Sequence, residues 1–294
     1  MATVASVWDM QFSASGELLG TAGGDTVLWG SATGDKRVMP RGSSPATALA
    51  FCPDNERVIA GNQDGTIDVF DVAGKAIHQS LVAHSCEVIA LAVSPDGKWM
   101  ASGSSIQTER SRALPEDTRV FLWNLDTMSI ARELHGQSAG TRCLAFSPDG
   151  AVVAAGSQDG IVTAWDVQSG SMELRWNLYR EPVRSVAFDA DALWSAGEYA
   201  AKTDTKSGQV IKEIRPRFEL GRLAIAPGGR IAAISGSASP GSGQVELVEC
   251  ETGRRRWRET GIYFGWPRVA FSNDGRYFAA ELTNDTVGIW RVSH

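Results

Sequence analysis

The chain has 294 residues, 43% of them hydrophobic, which is enough to bury a large core and argues against disorder. Its 34 acidic against 28 basic side chains leave a net charge of −6, which excludes the overall basic character of a general nucleic-acid or anionic-membrane binder. No charged-then-apolar leader and no run of about 18 apolar residues occurs, so the expectation is a soluble cytoplasmic protein. Cys52, Cys86, Cys143 and Cys250 lie far apart with no CxxC pair, a pattern expected of reduced thiols rather than a zinc ribbon or a disulfide scaffold.

In chain order, the first recognisable unit is MQFSASG, an apolar anchor at Phe12 followed by a turn. The same pattern returns as LAFCPDN at Phe51, LAVSPDG at Val93, LAFSPDG at Phe146, VAFDADA at Phe188, LAIAPGG at Ile225 and VAFSNDG at Phe271. The anchors stand about 43 residues apart on average, close to the period of four-stranded propeller blades. Within one unit, TRCLAF alternates as a half-buried strand does, and SPDG supplies a turn. AVVAAGS, IVTAWDV and SMELRW then read as three further strands separated by QDG and QSG turns. Four short antiparallel strands repeated seven times need a closed radial arrangement to protect their edges.

LAFSPDG, GSQDG and WDV within 144–167 resemble the WD40 repeat, with weaker counterparts at FDV 70–72, WNL 123–125 and WRV 290–292. The resemblance covers essentially the whole chain and is also to bacterial WD40 domains of larger signalling proteins. It implies an all-β fold, a single domain over 1–294, built as a seven-bladed propeller of four-stranded antiparallel blades. It further implies a structural hydrogen-bonded tetrad, which the third repeat matches with His84, Ser102, Asp117 and Trp123. Gly42 and Gln137 stand where other repeats should have the histidine, and KTD 202–204 and VEC 248–250 replace the tryptophan motif.

Catalytic material is scarce. There are four histidines, and no GxxxxGK[ST], HExxH or strand-linked GxGxxG is present. Aspartates at 54, 64, 96, 149, 159, 274 and 285 hold fixed offsets within their repeats, which is turn chemistry rather than paired acids. No catalytic residue, cofactor or metal is therefore expected, and the chain reads as a protein-interaction or sensing module. The competing readings are a propeller-scaffold enzyme of hydrolase or lactonase type, with metal ligands in the channel, and an architectural subunit.

The resemblance places the loops before the first strand and between the second and third strands on one face, the top. Three successive leading loops there combine aromatics with arginine: Tyr179 and Arg180, then Phe218, then Tyr263, Phe264 and Trp266. Arg142, Arg184, Arg222 and Arg268 precede their anchors by three or four residues, near the expected channel mouth. Such a surface suits a protein or peptide partner, acidic or phosphorylated, and neither nucleic acid nor membrane. The alternative is that the aromatics pack between blades in place of the missing histidines. The insertion SIQTERSRALPED, 105–117, is expected to be a solvated loop.

Trp290 falls on the third strand of the last repeat, and residues 1–5 are too few to make a loop and a fourth strand. The expectation is a three-stranded seventh blade with an open edge along TVGIWRV, met by a segment of a longer protein or of a partner.

Overall fold

Each repeat folds as one antiparallel sheet whose strands follow one another in chain order. The computed structural model describes residues 7–40, 42, 44–74, 77–82, 84–106, 117–190, 192–239, 241–262, 266–283 and 286–292. Six sheets have four strands and the last has three, giving the seven blades of an all-β propeller. The blades occupy 9–38, 46–82, 88–134, 141–177, 185–214, 219–262 and 269–291. Of the seven anchors, Phe12, Phe51, Val93, Phe146, Ile225 and Phe271 end the first strand of their blade, and Phe188 stands one residue before its end.

The SPDG turn explains why these strands stop where they do. Ser94 Oγ donates to Asp96 Oδ1 at 2.6 Å and accepts from Trp99 N at 2.9 Å, while Gly97 at φ 72° donates back to the Ser94 carbonyl at 2.9 Å. Ser147–Asp149 and Ser272–Asp274 repeat the device. In blade 2 the glycine position is taken by Asn55 at φ 60°, a residue whose short polar side chain tolerates the left-handed region.

Apolar faces of neighbouring sheets pack against each other, so the core is a ring of interfaces between blades. The ring closes between the last blade and the first, where Val7, Met10, Phe12 and Leu19 pack with Ala270, Ala279 and Val287. Arg276 Nη2 also donates to the Ser15 carbonyl across this junction at 3.2 Å. The seventh blade is made of Val269–Phe271, Tyr277–Thr283 and Thr286–Arg291. Among the described residues no strand pairs with the outer side of Thr286–Arg291. Blades 5 and 6, which lack the tryptophan motif, are nonetheless complete four-stranded sheets. Most of the long insertion in blade 3, at 107–116, lies outside the described residues.

Candidate interaction face and central channel

Two glycine contacts show which loops share a face. Gly65 (φ +85°), between the second and third strands of blade 2, lies against the carbonyl of His84 in the loop leading to blade 3. Gly160 (φ +84°) of blade 4 lies in the same way against the carbonyl of Tyr179, ahead of blade 5. At both positions a Cβ would overlap the neighbouring oxygen, so the second turn of one blade and the leading loop of the next are in direct backbone contact.

Beneath this face, blade 3 holds a buried polar network. His84 Nε2 lies 2.9 Å from Ser102 Oγ, to which Trp123 Nε1 donates at 2.9 Å. His84 Nδ1 lies 3.2 Å from Asp117 Oδ2, and the two side chains are only 0% and 1% exposed. Burial works against ionisation of Asp117, but hydrogen bonds from His84, from Arg119 and from the Ser85 amide outweigh it and hold the carboxyl well below the usual range. His84, Ser102, Asp117 and Trp123 join strands and loops of one blade and are all buried, while Arg119 reaches Asp117 from a side chain that is partly exposed.

Other blades solve the same problem differently. In blade 1, Trp29 Nε1 donates to Thr21 Oγ1 at 3.1 Å, a pair that the sequence reading passed over. The signal was available, because Thr21 faces Met10 and Ser102 faces Leu91, each two residues before an anchor. In blade 5 the equivalent position is Ser195, facing Val186, and the Tyr179 hydroxyl lies 2.7 Å from its Oγ and donates to its carbonyl at 2.9 Å. Tyr179 thus does the work of the missing histidine. In blade 2, Gly42 leaves the space to Asp68, which accepts from Asn62 Nδ2 at 2.8 Å.

This corrects part of the expected partner surface. Tyr179 is only 4% exposed and Phe218 only 8%, the latter packed with Leu220, Leu223 and Ile234. Both fill inter-blade space rather than face a partner. Tyr263 and Phe264 lie outside the described residues. Trp266, in contrast, is 47% exposed, and Arg180 is exposed as well. The Arg184 guanidinium reaches Trp266, 4.8 Å from its ring centre, and pairs with Glu219 Oε1 at 3.3 Å.

The four arginines that precede their anchors, Arg142, Arg184, Arg222 and Arg268, meet at the central channel. Trp8, Thr47, Ile89, Arg142, Arg222 and Arg268 enclose a cavity of about 270 Å³, and Arg184 lines its continuation. Thr47, Ile89 and Arg142 each occupy the extra position of a β-bulge in their inner strand, a distortion that re-aims a side chain. Arg268 is opposed by two carboxyls, the half-buried Asp9 and the buried Glu281, both raised above their ordinary range by desolvation. Beside Arg142, burial pushes the Cys143 thiol up to about 12, so it stays protonated and unreactive.

The WD domain, G-beta repeat family model matches residues 36–71, 75–124 and 128–166. Apoptotic protease-activating factor 1 of Rattus norvegicus is 26% identical over 169 residues, and the Homo sapiens protein of that name 25%. Each match spans 57% of this chain and only 13% of the relative. Among solved structures, a chain in the Crystal Structure of Mitotic Checkpoint Complex superposes with a TM-score of 0.84 at 16% identity, covering 100% of this chain and 93% of that one. The chain is thus a seven-bladed propeller, three of whose repeats, within residues 36–166, match the WD domain, G-beta repeat model.

Proposed function

We propose that this propeller is a non-catalytic interaction module of the cytoplasm, working within a larger signalling protein or assembly, and that it reads an acidic or phosphorylated segment at the arginine-lined mouth of its channel. One observation carries the reading: the channel is lined by arginines together with Trp8, Thr47 and Ile89, a lining suited to holding an anionic group rather than to ligating a metal for hydrolysis. The exposed Trp266 beside Arg184 and Arg180 adds the residue types that dominate interface energetics. Free thiols at all four cysteines support a reducing compartment. The outer side of Thr286–Arg291, unpaired among the described residues, supports strand addition by a neighbouring segment as a second contact.

A photo-crosslinking amino acid at Arg180, on the proposed face, is compared with one at Ser169, in the turn between the third and fourth strands of blade 4 at the other end of the sheets. Crosslinks from position 180 that disappear in Arg184→Ala/Trp266→Ala, with the melting temperature held, support the reading. Crosslinks from position 169 alone overturn it.

A further inference from the structure

The four channel arginines differ in how their charge is met. Arg184 has Glu219 at 3.3 Å and the Trp266 ring. Arg268 has Asp9 and Glu281, and its own amide donates to Glu281 Oε2 at 3.2 Å. Arg142 and Arg222 have only neutral partners among the described residues. Arg142 Nη1 donates to the Gln158 side-chain oxygen at 2.9 Å, and Arg222 Nη1 donates to the Arg184 carbonyl. Arg142 Nε is buried with no acceptor among the described residues. Burial, opposed by Cys143 and reinforced by the positive charges of Arg268 and Arg184, pulls the Arg142 guanidinium down to about 10, and burial lowers Arg268 as well.

Arg142 is half-buried, with a guanidinium that meets no carboxylate among the described residues and a buried Nε left unmet, and an unmet buried donor costs the desolvation of the group. An anion in the channel would meet both at once. The cavity, about 270 Å³ and open to the continuation lined by Arg184, lies just below the size range of pockets for larger organic ligands. Its walls select the shape of the anion. Trp8 and Ile89 form an apolar arc on blades 1 and 3, while the arginines form a cationic arc on blades 4, 6 and 7. A compact dianion on an apolar stem fits this division.

We propose that Arg142 and Arg222 form the anion cradle of a phosphate-monoester site inside the channel, filled by a phosphorylated side chain of the partner segment. Arg268, already opposed by Asp9 and Glu281, lends the third side of the cradle without needing the ligand for its own neutrality. This deepens, and rests on, the reading of the channel mouth as the recognition surface.

The test uses the whole chain and three probes at fixed ionic strength: inorganic phosphate, a short phosphoserine peptide and the same peptide with aspartate in place of phosphoserine. Titration calorimetry is expected to show one saturable site for phosphate, tighter for the phosphopeptide and at least 10-fold weaker for the aspartate peptide. Arg142→Gln and Arg222→Gln are each expected to weaken phosphate at least 10-fold, while Arg255→Gln, on the outer strand of blade 6 and away from the channel, changes it less than 3-fold. Phosphate is also expected to protect Arg142 of the unaltered protein from phenylglyoxal, a readout independent of whether the variants fold. Absence of saturable binding by phosphate and phosphopeptide, or binding that survives both substitutions, overturns the site; crosslinking of a partner from position 180 would then leave the recognition face standing alone. Phosphate binding with no gain for the phosphopeptide overturns the side-chain source and leaves the site to free phosphate.

Discussion

The guanidinium carbon of Arg184, just ahead of blade 5, lies 4.8 Å from the ring centre of Trp266, just ahead of blade 7, so the contact spans blade 6. What lies between them is Gly221, whose missing side chain makes the crossing possible: a Cβ there would overlap Cδ1 and Cβ of Trp266. Such a cation–π pair at a partly exposed site contributes about 0.5–1 kcal/mol.

A double-mutant cycle on Arg184→Ala and Trp266→Ala should therefore show a coupling of about 0.5–1 kcal/mol in unfolding free energy. Gly221→Ala should remove most of that coupling by pushing the ring off the guanidinium, and it should weaken a crosslinked partner as Trp266→Ala does. A full-strength coupling retained in the Gly221→Ala background would refute the bridge.

Asp117 of blade 3 makes acid sensitivity a second test. Its folded carboxyl sits well below the ordinary value, held there by His84, Arg119 and the Ser85 amide against the opposing effect of burial. A depressed acid contributes stability that is fully present above the unfolded value of about 3.9 and is lost as pH falls below it. Asp117→Asn should thus cost about 3 kcal/mol at pH 7, through partners left buried without their acceptor, and should flatten the loss of stability below pH 4. Denaturant midpoints measured from pH 7 down to pH 3 check it; parallel curves for the two proteins would contradict the assignment.

How far the sequence went depends on what each residue answers to. The anchors Val93, Phe146 and Phe271, and the serine–aspartate turns that follow, are set by interactions within a few residues, and they place strands and blade count correctly. Tyr179 and Phe218 answer to a different question. The loops that carry them are polar and precede a strand, so composition alone suggests a surface, yet the space left by an absent histidine draws both rings inward. Nor does spacing show that Glu219 would neutralise Arg184 while Arg142 found only Gln158, because both depend on contacts among side chains from different strands and loops.

Tyr179 supplies a third prediction, with the opposite pH sign. Burial raises its phenol above the ordinary value of about 10, against the hydrogen bond to Ser195. The unfolded chain therefore loses this proton first, and the stability it confers, full below about pH 10, declines as pH rises towards the folded value. Tyr179→Phe should cost about 1 kcal/mol at pH 7 for the lost hydrogen bond and should lessen the alkaline loss. It should leave partner capture unchanged, since the hydroxyl is turned inward to Ser195. Loss of capture with unchanged stability would return Tyr179 to the recognition surface.

The last prediction concerns how a three-stranded blade is steadied. Trp257, on the outer strand Arg255–Ile262 of blade 6, meets Trp290 edge-on at 5.6 Å and Phe278 at 6.1 Å, while Phe278 and Trp290 stack at 5.5 Å. Each such pair adds about 0.5–1.5 kcal/mol beyond the area it buries. The cluster joins the two outer strands of blades 6 and 7, so it substitutes across blades for support that the other six sheets obtain from a fourth strand of their own. Trp257→Ala should cost about 3 kcal/mol and act locally. Amides of Tyr277–Thr283 and Thr286–Arg291 should exchange with solvent at least 10-fold faster, whereas those of Trp99–Ser104 in blade 3 should keep their protection. Uniform acceleration across all blades would mean that the ring unfolds as one unit and that the aromatic cluster gives blade 7 no separate support.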